Sequence, residues 1–293
     1  MEIIEQCPLC GKSKLDDFLE CADFSISKEK FNIVKCASCG FIFTNPRPEE
    51  NKIAKYYNSE IYISHHANKK GLIPWAYRII RNIQFVNKTN LIKGFFKTPV
   101  SILDIGCGTG DFLGFCKSLQ WQTTGVEPSL EARQLASEKK ITVYDLNYLN
   151  TTNDTFDAIT MWHVLEHVHN LAERLQQLSA RLKENGIIVI AVPNHNSKDA
   201  KHYGPAWAAY DVPRHLSHFT TTSIQNLFKP YGFKLECVLP MKYDAYYVSI
   251  KSEENKNRGF IASLFLGVVN GIKSNLLARN NKEYSSLIYV FKK

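Results

Sequence analysis

The amino-acid sequence predicts an α/β protein built around a doubly wound, mostly parallel sheet of seven strands. From Val100 onward, short β-branched runs alternate with helical stretches, which is typical of βαβ units. A glycine-rich loop follows the first of these strands, where folds of this class bind their ligands. A short cysteine-rich segment precedes the sheet, so the 293 residues divide into a main domain and a small module.

Each predicted strand is a short apolar or β-branched run bounded by turn residues. In chain order the strands are 100–105, 123–126, 141–144, 156–162, 187–192, 235–239 and 286–291. Helices are predicted from about residue 111 and over 130–139, 171–183 and 223–228, because apolar residues recur there at helical spacing. Asn185 and Gly186 are expected to stop the third of these helices.

One apolar stretch lies between the last two strands. Its longest run, 260–269, is too short to span a bilayer, and we expect no transmembrane segment. Residues 260–277 fit a helix that covers the sheet edge, a dimer contact or an amphipathic surface that touches a membrane. We expect cover, because an apolar helix interrupted by glycine and serine on a soluble fold is usually packed. The sequence leaves open whether the chain forms a homodimer.

Two zones are predicted ahead of the main domain, which comprises residues 99–293. Residues 1–48 hold five of the eight cysteines and end at Pro46 and Pro48, which exclude helix and mark a boundary. Residues 49–98 are predicted to form a helical cap or linker. Within that zone we expect one buried stripe at Trp75, Ile79, Ile83 and Val86, which recur at helical spacing.

The composition is that of a soluble globular protein, with 44% hydrophobic and 22% charged residues. The N-terminus has neither a basic start nor an apolar signal core, which indicates a cytoplasmic location. Cysteines there are thiols or metal ligands rather than disulfides. The net charge of +8 predicts a solvated basic surface, attraction to an acidic or phosphorylated substrate, or weak attraction to nucleic acid or anionic lipid.

The glycine-rich loop indicates which ligand the sheet binds. Asp104 lies near the end of the first strand, and Gly106, Gly108 and Gly110 follow it with the spacing G-x-G-x-G. A nucleotide-binding loop with a pyrophosphate uses G-x-G-x-x-G, and the Asp104 carboxylate would repel a pyrophosphate but suits an amino group. Glu127 ends the second strand, where a carboxylate can accept both ribose hydroxyls. These features fit S-adenosylmethionine, which carries an ammonium group and no phosphate.

With this loop, residues 99–293 resemble the Rossmann-like class I S-adenosylmethionine-dependent methyltransferases. The sequence is most similar to a bacterial group that carries the segments Val-Leu-Glu-His, here 164–167, and Pro-Arg-His-Leu, here 213–216. The resemblance implies that the three glycines cradle the methionine moiety, that Asp104 meets its amino group and that Glu127 meets the ribose. It also implies that Asp145 approaches the adenine amine, although a plain loop aspartate is the alternative. Trp162 is a candidate for cofactor contact and, with Trp207 and Tyr210, for the acceptor-pocket wall; core packing is the alternative for these aromatics.

Methyl transfer needs a group that takes a proton from a hydroxyl or amine acceptor, and histidine suits this task. His163, directly beyond the fourth strand, is the first candidate base, and His215 is the second. Glu166 is expected to orient one of them or to cap the next helix. Some relatives bind a divalent metal through Glu-x-x-Glu-His, which His163, Glu166, His167 and a later histidine would only approximate.

The cysteine-rich zone holds two C-x-x-C-G motifs. Two such pairs in a cytosolic chain predict a structural zinc ion bound by four thiolates, and the zone is therefore a zinc-ribbon-like module. Its ligands would be Cys7, Cys10, Cys36 and Cys39. Cys21 is not expected to be a ligand. The module resembles those that precede methyltransferases acting on sugars and natural products.

The sequence thus predicts an enzyme that transfers a methyl group from S-adenosylmethionine, most readily to oxygen. A small-molecule or glycan acceptor, such as a nucleotide- or lipid-linked sugar, is implied by the resemblance alone. One alternative is an RNA or protein methyltransferase with the zinc module as reader; against it, the module lacks a dense basic stripe, and nucleic acid is not an expected partner. Another alternative is a regulatory protein that binds S-adenosylmethionine without turnover.

Overall fold

The computed structural model describes residues 1–57, 72–97 and 99–293, and for residues 72–78 it describes the helical backbone alone. Residues 58–71 of the predicted helical zone, and the side chain of Trp75, lie outside this description. The chain divides into two compact units. The first comprises Met1–Tyr57, His163–Leu175 and Ile190–Val290, and the second comprises Asn58–Trp162, Gln176–Val189 and Phe291–Lys293.

A seven-stranded sheet, counted over the described residues, confirms the predicted fold class. In chain order its strands are β4 (Ser101–Ile105), β5 (Gln122–Val126), β6 (Val143–Tyr144), β7 (Phe156–Trp162), β8 (Leu182–Pro193), β10 (Lys234–Pro240) and β11 (Ser286–Lys292). Their order across the sheet is β10-β11-β8-β7-β4-β5-β6. The pairs β4–β5, β4–β7 and β5–β6 are parallel. Strand β8 is buried from Gly186 to Pro193, as expected of a strand covered on both faces.

Helices connect the strands as the alternating pattern predicted. The α-helices in the described ranges are α1 (Leu72–Lys93), α2 (Asp111–Ser118), α3 (Leu130–Glu138), α4 (Tyr148–Thr151), α5 (Leu171–Arg181), α6 (Lys198–Tyr203), α7 (Thr221–Phe228), α8 (Asp244–Asn255) and α9 (Phe260–Asn281). Helix α5 ends at Arg181 and β8 begins directly after it, so the predicted stop at Asn185 and Gly186 is wrong. Those two residues lie inside the strand, where Asn185 has a φ of 63°.

The first unit contains a second, smaller sheet that the sequence did not predict. Its strands are β1 (Leu15–Ala22), β2 (Lys30–Cys36), β3 (Ile42–Thr44) and β9 (Ser217–His218), in that order and paired antiparallel. Beneath it lies a buried apolar cluster that includes Phe31, Ile42, Tyr56, Trp207 and Tyr210. The N-terminal strands and the segment around residue 210 therefore share both a sheet and a core. Trp207 and Tyr210 belong to that core.

The expected buried stripe on helix α1 is wrong for its three described members. Ile79, Ile83 and Val86 are exposed, whereas Thr89 and Ile92 are buried. Both sets recur at helical spacing, so the helix carries two stripes, and periodicity alone does not say which one faces the protein. Phe85, on the buried side, contacts Phe112 and Phe115 of α2 at ring-centroid distances of 5.8 and 5.9 Å.

Candidate functional site

The loop between β4 and α2 has the backbone geometry that its glycines predicted. Gly106, Gly108 and Gly110 have φ angles of 71°, 56° and 73°, a region that L side chains rarely adopt. Gly110 is the residue that precedes α2, and a Cβ there would lie 3.2 Å from the Cβ of Ala136. The loop therefore turns sharply at the carboxyl end of β4, and its glycines let the backbone come close to a ligand.

Two buried carboxylates lie beside this loop, at the ends of adjacent strands. The hydroxyl of Thr160 donates to Asp104 Oδ1 at 2.6 Å, and burial raises the pKa of Asp104 to about 6. The amide of Gly108 donates to Glu127 Oε2 at 2.9 Å, and the amide of Ser129 donates to Glu127 Oε1 at 3.0 Å. Glu127 thus ties the glycine loop to the end of β5. Together the two acids can accept from an ammonium group and from hydroxyls.

An aromatic wall with a lysine over it belongs to the same unit. The Trp162 and Phe112 rings meet edge to face at 5.9 Å, and Lys88 Nζ lies 4.0 Å from the centroid of the Trp162 ring. The charge of Lys88 also acts to lower the pKa of Asp104, against the effect of burial. The indole nitrogen of Trp162 is buried and has no hydrogen-bond partner among the described residues. Lys88 was not predicted, because a lysine on a helix carries no signal of its own.

Asp145 follows β6 and is exposed. Its Oδ1 accepts from the amide of Asn147 at 3.0 Å, the geometry of a side chain that closes a turn. Next to it, Tyr144 and Tyr148 stack with parallel rings 4.2 Å apart.

In the first unit, His163 is held between two carboxylates. Its Nδ1 lies 3.3 Å from Glu166 Oε1, and its Nε2 lies 2.8 Å from Asp244 Oδ2 at the start of α8. Burial opposes protonation, but Asp244 and Glu166 together raise the pKa of His163 to about 10. Both ring nitrogens are therefore engaged as N–H donors. Asp244 was missed because only the tertiary fold brings it to the histidine.

His215 and His167 present their rings differently. Nδ1 of His215 lies 2.9 Å from the carbonyl oxygen of Ala209, and Nδ1 of His167 lies 2.9 Å from that of Arg214. A carbonyl only accepts, so each Nδ1 carries the hydrogen and each Nε2 keeps a lone pair in the neutral ring. His167, His215 and the buried Glu166 each offer one ligand atom, and these three atoms lie within 4.8 Å of one another. Such an arrangement could hold a metal ion. His163 is not part of this group.

The segment that carries His215 is anchored by Arg214, a residue to which sequence reasoning gave no role. Its guanidinium donates to Asp211 at 2.7 and 2.9 Å and to the fully buried Asp23 at 2.8 Å. The hydroxyl of Thr44, in β3, donates to the carbonyl oxygen of His215 at 2.7 Å. The N-terminal strands thus fix the backbone on both sides of this histidine.

The four predicted cysteine ligands come together. Cys7 Sγ lies 3.6 Å from Cys39 Sγ, and Cys10 Sγ lies 3.5 Å from Cys36 Sγ, with all four sulfurs within 4.8 Å of one another. Zinc–sulfur bonds of roughly 2.3 Å in a tetrahedron place sulfurs about 3.8 Å apart, so the donor set fits a zinc ion. Gly11 and Gly40 have φ angles of 71° and 76°, which turn each knuckle back toward its sulfurs. Cys21 lies outside this group.

The glycine loop, its two carboxylates and the doubly wound sheet define an S-adenosylmethionine-dependent methyltransferase. The family model described as "Methyltransferase domain" matches residues 75–238, which is more than half of the chain, and the protein belongs to this family. The expectation of a class I methyltransferase is thereby confirmed, as is the expectation that the chain is an enzyme.

Curated relatives match shorter stretches. The chain is 34% identical over 106 residues to a ubiquinone biosynthesis O-methyltransferase of Bradyrhizobium diazoefficiens, covering 33% of this chain and 41% of that protein. It is 30% identical over 154 residues to the mitochondrial ubiquinone biosynthesis O-methyltransferase of Saccharomyces cerevisiae, covering 48% of each. The chain thus spans about half the length, or less, of these curated relatives.

Solved structures share the fold. Phosphoethanolamine N-methyltransferase 2 of Haemonchus contortus, in complex with S-adenosyl-L-methionine, superposes with a TM-score of 0.52 at 18% identity, covering 86% of this chain and 62% of that one. A Galdieria sulphuraria protein with the provisional name sarcosine dimethylglycine methyltransferase gives a TM-score of 0.52 at 14% identity, covering 73% and 86%. At these identities the likeness is one of fold alone.

Proposed function

We propose that this methyltransferase acts on an oxygen atom of a small molecule or of a nucleotide- or lipid-linked sugar, with His215 as the general base. The observation that carries the proposal is the pair of histidine environments in the first unit. The Nε2 of His215 lies 4.0 Å from Asp211 Oδ2, beyond hydrogen-bond distance, and can take a proton, whereas both nitrogens of His163 are engaged by carboxylates. The O-methyltransferases among the curated relatives support oxygen as the acceptor atom.

For the cofactor, the residues of the second unit fit S-adenosylmethionine. Asp104 would accept from its amino group, Glu127 from its ribose hydroxyls, and the three loop glycines would leave room for the methionine moiety. Trp162 would contact the adenosine side through its orphaned indole nitrogen, and Asp145 would approach the adenine amine. When bound, the cofactor supplies a methyl group activated by a positively charged sulfur.

His215 would remove the proton of the acceptor hydroxyl through Nε2, while its Nδ1–H stays on the carbonyl of Ala209 and fixes the tautomer. The first candidate base from the sequence, His163, is in our proposal a positioning residue. It holds Glu166 and Asp244 at fixed places, and Glu166 accepts from the amide of Leu216 through its backbone carbonyl at 2.8 Å. That contact orients the segment that carries the base.

We further propose a structural zinc ion on Cys7, Cys10, Cys36 and Cys39. The ion would stiffen the sheet whose third strand holds the carbonyl of His215 through Thr44. In this proposal residues 1–48 are a zinc module that shapes the acceptor side, 49–98 a cap and 99–293 the catalytic domain. A cytoplasmic location belongs to the same proposal.

The test is a screen of hydroxyl acceptors, beginning with nucleotide sugars and phenols, with S-adenosylmethionine labelled in its methyl group. We expect label on oxygen, identified in the product by NMR. His215→Gln should lower turnover by about 10²–10⁴-fold, as removal of a general base does, and leave S-adenosylhomocysteine binding intact. His202→Gln, on an exposed face of α6, is the matched control and should retain full turnover. Label found only on nitrogen or carbon, or full turnover by His215→Gln, would overturn the proposal.

A further inference from the structure

Helices α8 and α9 form a hairpin, and small residues of α9 lie where the two helices pack together. A Cβ on Gly267 would lie 2.5 Å from the Cα of Ile250, and a Cβ on Gly271 would lie 2.9 Å from the ring of Tyr246. Ser263, Ser274 and Ala278 complete the buried stripe of α9. The two helix backbones therefore approach closely along one face of α9, and this face is closed to any other partner.

The opposite face of α9 is apolar and exposed. Ile261, Phe265, Val268, Ile272 and Leu276 follow one another at intervals of four, three, four and four residues, which places them on one line. Ile261 is 81% exposed and Phe265 is 68% exposed. At a rise of roughly 1.5 Å per residue the line is about 22 Å long. No segment within residues 1–57, 72–97 and 99–293 covers this line. The packing that the sequence predicted for this helix is therefore found only on the face that contacts α8.

The charged residues of α9 itself all have one sign. Helix α9 contains no aspartate or glutamate. Basic side chains stand before it, within it and after it, and all of them are exposed: Lys256, Arg258, Lys273, Arg279 and Lys282. The buried Glu253 pairs with Arg258 at 3.2 Å, and Glu254 pairs with Lys251 at 2.7 Å. Within the described residues, Lys256, Lys273, Arg279 and Lys282 have no acidic partner and carry the positive charge of this surface.

We infer that α9 docks on the surface of an anionic membrane, with its axis in the plane of the interface and the Ile261–Leu276 line among the acyl chains. By length and composition α9 could also cross a membrane, but its other face is sealed against α8 and cannot turn toward lipid. An apolar line rimmed by bases is the pattern of an interfacial helix. Lysine and arginine reach lipid phosphates on long stems while their helix lies deeper.

A second copy of the chain fits this face less well. In a two-fold dimer the same surface meets itself, so an antiparallel pair of α9 helices would set Ile261 against Leu276. Arg279 would then face Arg258, whose acidic partner is the buried Glu253, and α9 itself offers no acid to pair with Arg279. A membrane that carries phosphatidylglycerol provides the missing negative charge. The inference goes beyond the proposed reaction and does not depend on the acceptor.

Vesicle co-sedimentation of the purified full-length protein tests the inference. We expect binding to phosphatidylcholine vesicles that contain about 30% phosphatidylglycerol, and much weaker binding to pure phosphatidylcholine or at about 0.5 M salt. The double variant Ile261→Glu/Phe265→Glu should bind about tenfold more weakly or worse. Lys273→Gln/Arg279→Gln should lose the preference for the anionic lipid. Ile3→Glu is the matched control, because Ile3 is 74% exposed far from α9 in sequence, and it should bind as the wild type does.

Unchanged melting temperatures would show that the variants are folded, independently of any methyltransferase assay. Failure of the wild type to bind anionic vesicles would overturn the inference. So would vesicle binding that the Ile261→Glu/Phe265→Glu variant retains in full. A wild-type dimer in sedimentation velocity that this variant dissociates, without vesicle binding, would assign the surface to a second copy instead.

Discussion

Replacing Glu127 by glutamine should weaken binding of S-adenosylhomocysteine by about 10- to 100-fold. The carboxylate is buried and accepts from two backbone amides, at 2.9 and 3.0 Å. A glutamine amide keeps one oxygen to accept and turns an N–H group toward the second donor. Each hydrogen bond to a charged group contributes about 1.5–3 kcal/mol. The substitution removes one of these bonds, because the N–H group of the glutamine side chain cannot accept from the amide of Gly108 or of Ser129. The same substitution removes an acceptor for a ribose hydroxyl, which sets the expected loss of affinity.

Isothermal titration calorimetry measures this affinity, and thermal unfolding without ligand measures the change in the loop itself. Glu131→Gln is the matched control, since it makes the same change at an exposed residue in the first turn of α3 and should leave binding normal. Binding by Glu127→Gln equal to that of the wild type would refute the role that we give to this carboxylate. A loss shared equally by Glu131→Gln would attribute the effect to net charge rather than to the site.

Three other predictions follow from the same structure. Arg214→Met should lower the free energy of unfolding by about 3–5 kcal/mol, because the buried Asp23 carboxylate keeps its hydrogen bonds from residues 25–27 but loses its cationic partner; urea unfolding measures this change. Burial, with nearby lysines, lowers the pKa of His195 from 6.5 to about 4, so as pH falls below 6.5 the unfolded chain binds a proton that the folded chain does not. The free energy of unfolding should therefore decrease as pH falls from about 6.5 to 5. Over that interval the decrease should be about 2 kcal/mol smaller for His195→Gln than for the wild type. Removing zinc with a chelator, or Cys10→Ser, should destabilise the N-terminal sheet, and elemental analysis should find about one zinc ion per wild-type chain.

Each of these predictions has its control. Arg133→Met also removes an arginine, but among the described residues its guanidinium donates to two backbone carbonyls and to no carboxylate. This variant should lower the free energy of unfolding less than Arg214→Met does. Equal pH slopes for the wild type and His195→Gln would show that this histidine is not the proton site. Cys237→Ser changes a cysteine outside the cluster and should leave the zinc content unchanged. A metal-free wild-type chain with undiminished stability would contradict the zinc proposal.

The parts of the molecule that the sequence predicted are those that depend on neighbours along the chain. A glycine with positive φ between a strand and a helix, an acid at a strand end and a C-x-x-C-G turn are each built from a few consecutive residues. Parallel strands then align their carboxyl ends, which brings Asp104 and Glu127 together without further information. The same reasoning placed the strands of the main sheet, with errors at boundaries such as the start of β8 at Leu182.

Only the tertiary structure decided which groups contact each histidine and which face of α1 is buried. The sequence offers His163 and His215 as similar candidates, but in the structure Asp244 contacts His163 and the carbonyl oxygen of Ala209 contacts His215. Arg214 and Asp23 are separated by 191 residues, and no local pattern announces that they pair. The sequence by itself therefore predicted the fold class and the methyltransferase family. Packing between distant segments decided how the side chains around them share protons and charge, because burial and pairing are properties of the assembled core.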